Sequence, residues 1–153
     1  MSDYTSLRHH LKQIVKLSGE RKTPYNSAED FILKHGKRFD GQKLQKPWEF
    51  DTVKQCFMNS QKLAMSDHTL TYVEGYVMAL IPVHHAWCVD LTGEVIDVTL
   101  RSAVDGTVYF GCKFQTRYVE RCVLRREVWA SLLSYGRCPL LTGEHSPSEA
   151  LQK

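Results

Sequence analysis

An α+β domain is what this sequence predicts, on three observations. Apolar residues recur at helical spacing near both ends of the chain, the middle is rich in Tyr and Val between turn dipeptides, and no repeat, low-complexity tract or linker divides it. With 153 residues, 42% of them hydrophobic, the chain fits a single domain over 1–153, long enough to bury about two-thirds of its unfolded surface.

Leu7, Leu11, Ile14, Val15 and Leu17 place a first helix over residues 5–17, and Gly19 follows as a stop. Ser27 caps a second, with Asp30 three residues on as a capping-box carboxylate; Phe31, Ile32 and His35 share a face, and Gly36 ends it. Residues 37–51 carry charges, Gly41, Pro47 and isolated aromatics, and read as a long loop. Asp51 or Thr52 can cap a third helix running to about Met65, with Cys56 in its first turn. A strand follows over 70–80 and stops at Pro82. Residues 85–91 and 94–99 flank Thr92-Gly93 as a hairpin, and Asp105-Gly106 introduces a short strand at 108–110. Helices are expected over 116–125 and 127–135, ending at Gly136, then a frayed tail over 139–153.

Charge narrows the function less than it narrows the compartment. Net charge is +3, and the segment before Cys56 holds eleven Lys/Arg against seven Asp/Glu, without the clustered basic stripe or stacking aromatics of a nucleic-acid binder. Nucleic acid is therefore an unfavoured partner. No run approaches the roughly 18 apolar residues of a membrane span, and the opening Met-Ser-Asp-Tyr lacks a secretory pattern, so a soluble cytoplasmic protein with no membrane partner is expected. Cysteines at 56, 88, 112, 122 and 138 form no C-x-x-C pair, which favours reduced thiols.

A nucleophilic thiol needs a lowered pKa, a base within reach and a group that orients the base. Cys56 at a helix start meets the positive end of the macrodipole and free backbone N–H groups. Cys88, Cys112 and Cys122 lie in apolar patterns and read as small buried hydrophobes. The hairpin supplies base and orienter if its turn has odd length. A two-residue loop puts His85 and Asp97 on opposite faces and makes His84 the histidine to examine. A three-residue loop 91–93, with Gly93 in the left-handed position, pairs Asp90 with Glu94 and sets His85 diagonally across from Asp97, with Trp87 on the same face.

The order Gln55-Cys56-Phe57 at a helix start, His85-Ala86-Trp87 on a strand and Asp97-Val98-Thr99 on the next resembles the transglutaminase-like and papain-like cysteine enzymes. Tyr72-Val73-Glu74-Gly75-Tyr76 and Pro82-Val83-His84-His85 add a likeness to small, largely uncharacterised bacterial and phage proteins of that superfamily. The resemblance covers about residues 50–112. It implies a minimal catalytic core there, with a nucleophile helix packed on an antiparallel sheet, between the flanking helices that the spacing places over 5–36 and 116–136. It also implies Cys56 as nucleophile, His85 as general base then acid, and Asp97 as orienter, forming an acyl-enzyme from a protein, peptide or other amide without a cofactor. Phage origin would put it in the host cytoplasm. The papain-like oxyanion glutamine has no counterpart, since Phe50 and Asp51 stand several residues before the cysteine. Gln55, Asn59 or Trp48 would then assist the Cys56 N–H in an oxyanion hole.

Plainer readings stand beside these. Glu74, an acid between Tyr72 and Tyr76, belongs either at a strand edge or in the site. Cys56, His84, His85 and Cys88 do not converge as a zinc motif does, and no metal is expected. A noncatalytic interaction module that keeps the fold is the main alternative function, and a nucleic-acid-associated protein the third.

Overall fold

Serines start the first two helices. In the computed structural model, which describes residues 1–153, Ser2 Oγ accepts from Thr5 N ahead of α1 (Asp3–Ser18), and Ser27 Oγ accepts from Asp30 N ahead of α2 (Ala28–His35). Asp30 returns a bond to Asn26 N, one residue outside the expected capping box. Leu7 and Leu11 of α1 meet Phe31 and Ile32 of α2, all fully buried, each worth about 2 kcal/mol of apolar transfer.

Five antiparallel strands form one sheet in the order β1-β5-β2-β3-β4: β1 (Lys37–Asp40), β2 (Thr71–Met78), β3 (Pro82–Val89), β4 (Val95–Ile96) and β5 (Val108–Lys113). Helix α3 (Cys56–Ser66) lies on β2 and β3, and α4 (Thr116–Arg126) packs beside it. Alternation sorts the sheet into two faces. Tyr72, Tyr76, Ala86, Cys88, Phe110 and Cys112 point to the helices; Val73, Val77, Trp87, Val89 and Tyr109 point to the other side. There the sheet curls on itself, so that Gln42 beyond β1 donates to Glu94 ahead of β4 at 3.1 Å. The fold is α+β with an antiparallel sheet, and no helix is long and apolar enough to cross a membrane.

Four local expectations are corrected. Residues 37–40 form an edge strand rather than loop, because Phe39 alone turns inward while Lys37, Arg38 and Asp40 remain in water, which hides the strand period. Pro82 opens β3 instead of closing β2; its missing N–H is harmless at a strand's first residue. Residues 127–135 are turns, after Glu127 (φ 54°) ends α4 in the left-handed conformation. The tail is ordered: α5 (Pro139–Thr142) and α6 (Pro147–Ala150) bury Leu140 and Ala150, and Gln152 N donates to the O of Lys113, the last residue of β5.

Candidate active site

Neither Asp51 nor Thr52 caps α3; the Asp51 carboxylate turns onto Thr52 N at 2.7 Å. The chain then passes through Lys54 at φ 63°, and the helix starts with Cys56 as its first residue. Gln55 occupies the N-cap without a side-chain bond, so no capping side chain covers the first-turn amides beside the thiol. Asn59, one turn on, donates to Thr52 O at 2.7 Å and to Thr99 Oγ1 at 2.9 Å, tying the approach to α3 to the segment after β4.

That segment carries Asp97. Cys88 pairs with Ile96 and Val89 with Val95, and the loop 91–93 closes with Gly93 N bonded to Asp90 O and Gly93 at φ 87°. This odd-length turn sets His85 and Asp97 on the same face, where His85 Nε2 and Asp97 Oδ2 are 2.7 Å apart. Asp97 is fully engaged: Tyr109 Oη donates to Oδ2 at 2.9 Å, and the amides of Thr99 and Leu100 donate to Oδ1 at 3.0 Å each. Burial raises the Asp97 pKa, but the His85 bond and charge and these amides outweigh it, and the net shift is downward. For His85, burial opposes the charged ring, yet the bonds and charges of Asp97 and Cys56 prevail and raise it to about 9. With Nε2 on Asp97, Nδ1 makes no hydrogen bond within the protein. Cys56 stands beside the imidazole, although the contact is not an aligned bond like that to Asp97.

Cys56 and His85 both line an open cleft of about 540 Å³, with Phe57, Val83, His84 and Leu100 among its other walls. All five cysteines are buried and unpaired, and the other four lie away from this cleft. Burial pushes the thiols of Cys88, Cys112, Cys122 and Cys138 upward.

The other expected site residues do not contact this cleft. Trp87 is fully buried within the curl of the sheet, stacked behind His85 (centroids 6.3 Å) and against Tyr109 (4.8 Å). It backs His85 and does not line the cleft. Trp48 and Asn59 border a separate groove with Pro47, Phe50 and Leu63. Gln55 is exposed and outside the lining. Glu74 is neither at an edge nor in the site. It is fully buried on the central strand β2, accepting from Tyr72 Oη, Ser131 Oγ and the amides of Leu132 and Leu133, with His84 Nε2 3.3 Å away but not aligned for a bond. Its burial raises the pKa, and His84, Ser131 and Leu132 together reverse that to a net lowering.

Tyr109 escaped the reading of the sequence, and Thr99 entered it only as part of the Asp97-Val98-Thr99 motif, without its bond to Asn59. Alternation along 108–113 places Tyr109 on the face opposite Phe110, a signal that was there to use. Nothing in the spacing links Thr99 to Asn59, 40 residues earlier. Compared with known proteins, the chain matches no family model, no curated protein and no solved structure.

Proposed function

We propose that Cys56, His85 and Asp97 act as the triad of a cysteine-dependent amide hydrolase or acyltransferase. The observation that carries the reading is His85, bonded at 2.7 Å to a fully hydrogen-bonded Asp97 and lining one cleft with the helix-start Cys56. The Cys56 sulfur adds to the amide carbonyl carbon and the carbonyl electron pair moves to oxygen, where N–H groups at the α3 start can receive it. Collapse breaks the C–N bond while His85 Nδ1 delivers its proton to the leaving amine, leaving a thioester. Water, or an amine in the transferase case, then adds with His85 taking its proton; the C–S bond breaks and the thiolate returns. Asp97 holds the ring orientation and stabilises the imidazolium throughout. Its dense bonding suits that role, because an immobile carboxylate fixes an immobile ring.

The order of the three residues resembles the transglutaminase-like and papain-like enzymes, and a papain-like core belongs to this proposal. Five unpaired thiols favour a reducing compartment such as the cytoplasm.

p-Nitrophenyl acetate tests the chemistry without knowledge of the substrate. We expect a burst of p-nitrophenolate and an acetyl group on Cys56 by peptide mapping, both lost in Cys56→Ala. Absence of acetyl-Cys56 at any stage would favour a noncatalytic binding module.

A further inference from the structure

We propose that the Cys56 cleft selects an acyl donor bearing a carboxylate beside an apolar group, with Lys54 and Arg101 as the anion-binding residues; this rests on the acyl-transfer reading above. The cleft lining contains these two cations and not one Asp or Glu. Val53, Phe57, Val83 and Leu100 supply its apolar surface.

Four of the twenty Lys and Arg side chains are neutralised by an ion pair, Arg38 with Asp40, Arg121 with Glu149, Arg137 with Glu144 and Lys34 with Asp30; what sets Lys54 and Arg101 apart is their place in the lining of a cleft that holds no acid. Lys54 and Arg101 make no ion pair. Asp51, the nearest acid in sequence to Lys54, spends its carboxylate on Thr52 N and Oγ1. Arg101 is preset instead. Its guanidinium lies 4.8 Å from the Phe50 ring centroid and reaches Asp51 O at 3.4 Å, contacts that hold the side chain without cancelling its charge. Lys54 is in the left-handed backbone region at φ 63°, where glycine would be relaxed and a lysine is strained. The positive end of α3 adds to the same field. An anion entering this cleft meets two unspent cations and a helix start; a cationic substrate meets only repulsion.

Two thiol reagents of equal chemistry and different charge read the effect. The ratio of Cys56 alkylation by iodoacetate to that by iodoacetamide is measured in the wild type and in Lys54→Gln/Arg101→Gln, so that any general change in thiol reactivity cancels. We expect the ratio to fall about threefold to tenfold in the double variant at low salt, and the wild-type ratio to fall with added salt. If Cys56 reacts rapidly but the double variant keeps the wild-type ratio, the anion site is refuted and the triad stands. If Cys56 reacts no faster than the buried cysteines with either reagent, the acyl-transfer reading fails and takes this proposal with it. Protection of Cys56 by Ac-Val-Glu-amide and by Ac-Val-Gly with a free carboxylate separates a side-chain from a chain-terminal anion. Protection by either beyond that of Ac-Val-Gln-amide supports the site, and no advantage over that neutral peptide overturns it.

Discussion

His84 and His85 are neighbours on one strand, and each faces a buried acid, yet the two pairs are built for different ends. His85 points into the curl of the sheet, where Asp97 meets it at 2.7 Å, and lines one cleft with Cys56. His84 points to the helices, stacked on Tyr76 and edge-on to Phe57, with Glu74 3.3 Å away and out of alignment. Glu74 gives its oxygens to Tyr72, Ser131 and the amides of Leu132 and Leu133, so it clamps the turn after α4 to the sheet. A histidine and a carboxylate are therefore not a hydrogen-bonded pair by proximity alone: His85 Nε2 lies 2.7 Å from Asp97 Oδ2, whereas His84 Nε2 makes no bond to Glu74.

The sharpest way to break this contrast is to remove each histidine. His85→Ala should lower esterase or amidase turnover by about 10³-fold or more, whereas His84→Ala should lower it less than about tenfold. Equal losses would erase the distinction between the pairs. Removing the acids should invert the pattern on stability. Glu74→Gln should destabilise by about 3 kcal/mol, seen as a lower urea midpoint, because its buried amide nitrogen would confront the N–H of either Leu132 or Leu133.

Stability should also follow pH differently for the two pairs. His85 has its pKa raised from the ordinary 6.5 to about 9, so its contribution is complete below pH 6.5 and is lost as pH rises through about 9. That loss is on the order of 3 kcal/mol. Glu74 and Asp97 are lowered, so their contributions are present above the ordinary carboxylate range and disappear as acid protonates the folded carboxyls. Urea midpoints should fall between pH 6.5 and 9 in the wild type and stay flat over that window in His85→Gln. Tyr109→Phe, the mildest change, removes one of two bonds to Asp97 Oδ2 and should cost about 1 kcal/mol and up to about tenfold in turnover.

The same contrast marks what the sequence could reveal. The hairpin register was legible because Gly93 follows Asp90 at the spacing of a left-handed turn residue, and that register sets the His85 and Asp97 faces. The start of α3 was legible to within a turn, although its capping was not, since Lys54 takes a backbone conformation that its side chain does not advertise. Glu74 was opaque because its partners are turn amides almost 60 residues away, and turns at 127–138 carry no periodicity. Strand β1 was hidden for a related reason: with one inward residue in four it has no alternation to read. Gly111 illustrates the remaining gap. A Cβ there would come within 2.8 Å of the Trp87 ring and 2.6 Å of Glu74 O, a restriction visible only once β2 and β5 are paired.

Site-resolved alkylation at pH 6 tests the proposed triad most directly. With iodoacetamide, Cys56 should label about 100-fold faster than Cys88, Cys112, Cys122 and Cys138, whose thiols burial pushes upward, and His85→Ala should remove most of that advantage. Slow, uniform labelling of all five cysteines, or rapid Cys56 labelling indifferent to His85, would contradict it.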